Sequence, residues 1–213
     1  MLLSRKVSIP LEFVLILSGM PGVGKSTLAL NLVKKYSEFR SLNQMNLLRF
    51  ATKYFDKISG SSGVLQEGLR FQTHEEAKQH MSELAPVVET FITRQLEKKI
   101  PTILEGIDFY PPHLFLHDRM NSFFDKVLSI NLYCKDEYVH YARLVDREKQ
   151  RHQSPSSVDT YFDNIRMKNE LMHLEVLQSE NHNLQSLDIS NMSKKQVLKA
   201  TEGLIKGYLG RVQ

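Results

Sequence analysis

Residues 17–30 read LSGMPGVGKSTLAL, and they hold the pattern G-x-x-x-x-G-K-[ST] as Gly19, Gly24, Lys25 and Ser26. Such a loop is credible only when a strand enters it and a helix leaves it. Upstream, residues 11–18, LEFVLILS, form a nearly unbroken apolar run. That pattern predicts a strand buried on both faces, as in parallel sheets covered by helices. Downstream, KSTLALNLVKKYSEF places Leu28, Leu32, Val33 and Tyr36 along one helical face, which predicts an amphipathic helix. Its N-terminus directs unpaired N–H groups back toward the loop. Strand, loop and helix therefore come in the required order.

A triphosphate is a dense negative charge, and backbone N–H groups without other partners are suited to receive it. Gly19, Gly22 and Gly24 let the backbone approach a phosphate, while Pro21 and Val23 stiffen the turn. Lys25 is expected to neutralise β- and γ-phosphates, Ser26 to offer its hydroxyl to Mg²⁺, and Thr27 to complete the cradle. The chain lacks the [NT]-K-x-D element of a guanine-specific switch, so the expected nucleotide is ATP.

Beyond the loop, strands and helices alternate. The region 41–70 carries weak signals: NQMNLLRFATKYF is compatible with a helix, and SGSSGVLQEG reads as a surface loop. A helical pattern runs from Thr73 to Lys99, opened by a capping-box pair of Thr73 and Glu76 and interrupted by Pro86. Apolar runs predict further strands at 100–108 (IPTILEGID), 125–134 (DKVLSINLYC) and 184–190 (LQSLDIS). Helical patterns occupy 136–151, 157–180 and 193–209. This alternation predicts an α/β three-layer sandwich with a mostly parallel central sheet, and 213 residues suit one domain spanning 1–213.

Composition narrows the function classes. A charged fraction of 24% and a formal charge of +4 are compatible with a small anionic substrate and do not single out nucleic acid. The one cysteine, Cys134, excludes an intramolecular disulfide framework and a multi-cysteine zinc site, consistent with a reducing cytoplasm. It lies in an apolar run and reads as a buried small hydrophobe. The N-terminus lacks the order of a signal peptide, and FVLIL is far shorter than a membrane span.

A second group of nucleotide-site residues is expected where a neighbouring strand ends. TILEGID offers Glu105 and Asp108, either of which could activate the acceptor; Glu105, beside Gly106, is the favoured partner of Ser26 at Mg²⁺. HYARLVDREKQR carries Arg143, Arg147 and Arg151 at i, i+4 and i+8. One cationic helical face suits a lid, about 136–156, that surrounds a moving phosphoryl group with positive charge, with Arg151 placed toward the acceptor. His113, His117 and Asp118 have the spacing of a partial zinc site and equally of packing histidines; SGSSG at 59–63 could wrap a phosphate or be a plain turn.

Four stretches together resemble the kinase domain of 2-phosphoglycerate kinase, which phosphorylates 2-phosphoglycerate to 2,3-bisphosphoglycerate with ATP. They are the loop at 19–26, ILEGIDFYPP at 103–112, HYARLVDRE at 140–148 and YFDNIR from Tyr161. The resemblance implies a P-loop NTPase fold with strand order 2-3-1-4-5 and a helical lid. It also implies Lys25, Ser26 and Glu105 as ATP and magnesium residues, Arg143 and Arg147 in the lid, and Arg49 and Arg166 as contacts of a phosphorylated acid. The resulting expectation is an ATP- and Mg²⁺-dependent small-molecule kinase. Two alternatives are a polynucleotide or nucleotide-sugar kinase of toxin type, and a non-catalytic ATP-binding regulator.

Overall fold

The structure is a computed structural model that describes residues 8–59, 73, 75–76, 85–106 and 123–212. Five strands form one parallel sheet in the order β2-β3-β1-β4-β5. They are β1 (Val14–Ser18), β2 (Ser41–Gln44), β3 (Thr102–Glu105), β4 (Val127–Tyr133) and β5 (Leu184–Asp188). The helices are α1 (Lys25–Lys35), α2 (Met45–Ser59), α3 (Ala85–Glu97), α4 (Glu137–Gln150), α5 (Phe162–Gln178) and α6 (Lys194–Val212). This is the expected P-loop NTPase sandwich with strand order 2-3-1-4-5 and helices on both faces.

The apolar run at 11–18 becomes the central strand because both of its faces are covered. Leu15 and Leu17 pack with Leu28, Leu32, Ile205 and Tyr208 from α1 and α6. Val14 and Ile16 pack on the other face with Val88, Ile92 and Leu96 of α3. Every residue of β1 is buried, as is every residue of its neighbours β3 and β4. A third apolar cluster joins Met20 to Leu144 of α4 and to Phe162, Ile165 and Met172 of α5, so the turn after β1 is packed against α4.

One strand has no clear sequence signal. β2 reads SLNQ, is half-exposed and pairs only with β3, through Ser41↔Thr102 to Gln44↔Glu105. An edge strand buries too little to need an apolar run. It makes the TILE strand third in chain order. The helix compatible with the segment after it is α2, and the Thr73–Glu76 capping pair is formed: Glu76 N–H donates to Thr73 Oγ1 at 3.2 Å and Thr73 N–H to Glu76 Oε2 at 3.4 Å. Pro86 lies in the first turn of α3, and 77–84 fall outside the described residues. Among the described residues, no helix is long and apolar enough to cross a membrane.

The order of the strands decides where a ligand can sit. β1 lies between β3 and β4, so the connections leaving β1 and β3 diverge, and a crevice opens beyond their carboxyl ends.

Candidate active site

The loop after β1 runs very close to β4. A Cβ on Gly19, whose φ is +132°, would stand 2.4 Å from the Leu132 carbonyl oxygen, so only glycine fits. At the other end of the loop Gly24 is the N-cap of α1 with φ 84° and ψ 20°. Nothing lies within 4 Å of where its Cβ would be, so backbone angle and not space calls for glycine there. The first turn of α1 has neither a side-chain cap nor an acidic residue. Its N–H groups and the positive end of the helix dipole are left to an external anion.

Two side chains of this turn have defined partners. Lys25 is 8% exposed, and its ammonium donates to the Met20 carbonyl at 3.0 Å, which holds the charge on the inner side of the loop. Ser26 Oγ donates to Glu105 Oε1 at 2.8 Å. Sequence separates this pair by 79 residues. The parallel register brings it together, because Leu17↔Glu105 pairing aligns the ends of β1 and β3 and Gly106 N–H bonds to the Leu17 carbonyl at 3.1 Å. A hydroxyl and a carboxylate side by side at a phosphate loop are hard oxygen donors suited to Mg²⁺. Among the described residues, no three His, Cys, Asp or Glu side chains gather as a metal site of their own.

A cavity of about 580 Å³ opens over the loop. Gly22, Val23, Gly24, Lys25, Ser26 and Thr27 line it, together with Arg143, Asp146, Arg147 and Gln150 of α4. The end of β5 and the start of α6 close it with Ile189, Met192 and Lys194. Arg143 ties two of these elements together: its Nη2 donates to the Ile189 carbonyl at 3.0 Å, so α4 and the β5–α6 connection are joined at the cavity edge. Arg147 is 35% exposed, 3.8 Å from Glu148. Burial first, and then the neighbouring Arg151, hold its guanidinium below the usual arginine range.

The expected cationic face is therefore divided. Arg143 and Arg147 line the cavity, whereas Arg151 is the exposed C-cap of α4 and does not. Arg49 sits on α2 outside the cavity lining, its guanidinium 5.6 Å over the Phe50 ring. Arg166, expected at a substrate, is not among the residues lining this cavity; it donates to the carbonyls of Cys134 and Lys135 and to Glu170. Asp108, His113, His117 and Asp118, and residues 60–63 of the glycine-serine stretch, lie outside the described residues. Cys134 is buried with a free thiol, and burial pushes that thiol's pKa up.

One residue at the site escaped the sequence reading. His140 of α4 is fully buried, with Nε2 2.8 Å from the Pro21 carbonyl oxygen. Burial, followed by the charges of Arg166, Arg143 and Lys25, lowers its pKa to about 4. Its signal was a lone histidine one turn before Leu144 on α4, which sequence cannot tell from a surface position.

Comparison with known proteins agrees with this fold. The chain superposes on a gluconokinase from Sinorhizobium meliloti 1021 with a TM-score of 0.56 and 14% identity, covering 94% of this chain and 95% of that one. An uncharacterized protein from Eubacterium ventriosum superposes at 0.55 with 13% identity over 92% and 99% of the two chains. A tRNA isopentenylpyrophosphate transferase from Bacillus halodurans does so at 0.50 with 11% identity over 94% and 98%. At these identities the likeness is one of fold. No curated protein matches by sequence. A family model described as an AAA domain matches residues 15–165, which contain the phosphate loop, Glu105 and the whole of α4. The chain belongs to this AAA-domain family.

Proposed function

We propose that the chain is an ATP- and Mg²⁺-dependent phosphotransferase, a single cytoplasmic domain that moves a phosphoryl group onto a hydroxyl of a small phosphorylated acid. The favoured acceptor is 2-phosphoglycerate, on the resemblance carried by ILEGIDFYPP, HYARLVDRE and YFDNIR. The observation that carries the reading is the 2.8 Å Ser26–Glu105 hydrogen bond at the phosphate loop, with Ser26, Arg143 and Arg147 lining one cavity. A glycine-rich turn with no ligand would need neither a buried carboxylate on its serine nor arginines at the same cavity.

The residues divide the work by charge and position. Lys25 and the bare N-terminus of α1 supply positive charge and donors at the loop, and Arg147 supplies positive charge from α4 at the same cavity. Phosphoryl transfer proceeds mainly by such positioning and charge balance. Ser26 and Glu105 would hold Mg²⁺, which supplies Lewis-acid neutralisation of phosphate charge. Glu105 or Asp108 would take the proton of the acceptor hydroxyl as its oxygen bonds to the γ-phosphorus and the bond from that phosphorus to the bridging oxygen breaks, with ADP as the leaving group. Arg49 and Arg151, outside the nucleotide cavity, are the acceptor-side cations of this proposal.

The test is transfer from labelled ATP with Mg²⁺ to a panel of small acids, phosphorylated acids, nucleosides and short RNA, with Lys25→Ala as control. A labelled bisphosphorylated acid that disappears with Lys25→Ala is the expected result. Equal turnover in the two proteins, or label carried only by RNA, would overturn the proposal.

A further inference from the structure

His140 lies beneath the phosphate loop and touches none of the groups assigned to transfer. It sits in the first turn of α4, where Asp136 caps the helix by accepting from the Val139 N–H at 3.0 Å. Its two nitrogens face different partners: Nε2 is 2.8 Å from the Pro21 carbonyl oxygen, and Nδ1 is 3.3 Å from Arg166 Nη1. A guanidinium can only donate, so Nδ1 must be the nitrogen with the lone pair. Nε2 then carries the proton and donates it to Pro21, which fixes the tautomer from chemistry alone.

Arg166 is itself held. Nη1 also donates to the Cys134 carbonyl at 2.6 Å, and Nη2 donates to the Lys135 carbonyl at 3.1 Å and to Glu170 Oε1 at 2.9 Å. A continuous set of hydrogen bonds thus runs from the end of β4 and from α5, through Arg166 and the imidazole, to one carbonyl of the phosphate loop. Apolar packing follows the same line. A Cβ on Gly22 would stand 3.1 Å from Leu144 and 3.3 Å from the His140 ring, so the helix is pressed against the loop at this point.

The consequence for the loop comes from peptide planarity. None of the described peptide bonds is cis, and in a trans peptide the C=O of one residue and the N–H of the next point in opposite directions. With Pro21 C=O held toward His140, the Gly22 N–H points away from the helix. Pro21 and Gly22 both border the cavity.

We propose that His140 is a positioning residue which, supported by Arg166, holds the Pro21–Gly22 peptide with its N–H presented to phosphate, so that the anion site is preorganised by the lid helix. The inference rests on the nucleotide reading above and adds a role to it. It also gives Arg166 a different place from the acceptor contact expected of it. A histidine that merely fills the core would tolerate loss of the Pro21 bond with no effect on nucleotide affinity; a strut would not.

Two variants of the full chain separate these roles. The amide of His140→Asn ends near the position of Nδ1, so it keeps a partner for Arg166 and loses Pro21. The amide of His140→Gln reaches the position of Nε2 and keeps a donor for Pro21. Calorimetric titration with ATP, with and without Mg²⁺, should show roughly tenfold weaker binding for Asn, from one unsatisfied carbonyl and a misdirected N–H. Gln should stay within about threefold of wild type, while the two variants melt at similar temperatures. Wild-type affinity in the Asn variant, or losses in both that track their melting temperatures, would overturn the inference and leave the nucleotide reading standing. No ATP binding by the wild type would overturn the nucleotide reading and this inference with it. Should the Asn variant fail to fold, ¹⁵N imidazole shifts of the wild type decide the tautomer: a proton on Nε2 alone at pH 6 is expected, and a proton on Nδ1 would overturn the inference.

Discussion

Lowering the pH should destabilise this protein through His140 by an amount that can be worked out from its surroundings. The ring is fully buried, and the charged groups that bear on it are the cations Arg166, Arg143 and Lys25; only the Pro21 carbonyl favours a proton. Its pKa falls from an ordinary 6.5 to about 4. In the unfolded chain the imidazole takes up its proton near pH 6.5, while the native state resists it until about pH 4. The unfolded state therefore binds more protons throughout that interval, and stability falls as the pH falls. Above pH 6.5 the contribution is fully present; below pH 4 no more is lost. About 2.5 pKa units correspond to about 3 kcal/mol, of which about 2 kcal/mol is lost by pH 5. Urea unfolding of wild type and His140→Gln between pH 7.5 and 4.5 measures this, since carboxylates titrating in the same range cancel in the difference. Wild type should lose 2–3 kcal/mol more than the variant, on the order set by that linkage. Parallel curves would refute the reasoning, because a buried imidazole ringed by cations cannot be indifferent to its proton.

Two other outcomes follow from the site. Arg147→Ala should lower kcat more than it weakens ATP binding, because charge opposite the loop matters most as the phosphoryl group moves; an effect confined to ATP affinity, measured by steady-state kinetics beside direct titration, would count against the lid role. Gly106→Ala should destabilise the fold by about 1–3 kcal/mol in thermal unfolding, an overpacking cost, because its Cβ would stand 2.5 Å from Cβ of Met45 at the start of α2. An unchanged melting temperature would show that α2 can shift freely.

The phosphate loop and its flanks were readable in the linear chain because each depends on neighbours in sequence. The all-apolar run before Gly19, the glycines that permit the turn and the periodic Leu28 and Leu32 after it are local requirements, and each lies where it was expected. Glu105 was readable for a related reason: a carboxylate ending an apolar run beside a glycine marks a strand end. Composition and periodicity could not reveal β2, because a four-residue edge strand of SLNQ acquires its conformation from hydrogen bonds to β3 and not from burial.

Partnership is what only the tertiary structure decided. Arg143, Arg147 and Arg151 have equivalent spacing, yet α4 ends at Gln150 and only the first two border the cavity. Arg166 and His140 are 26 residues apart on different helices, and Pro21 is 119 residues from the imidazole. Sequence shows an arginine and a histidine available for solvent, substrate or core. Packing of α5 beneath α4 buries both, and a buried donor must find an acceptor, so the arginine takes the carbonyls at the end of β4 and the imidazole takes the carbonyl of the loop. Hydrophobic pattern is a property of the chain, and hydrogen-bond partners across the core are a property of the folded topology.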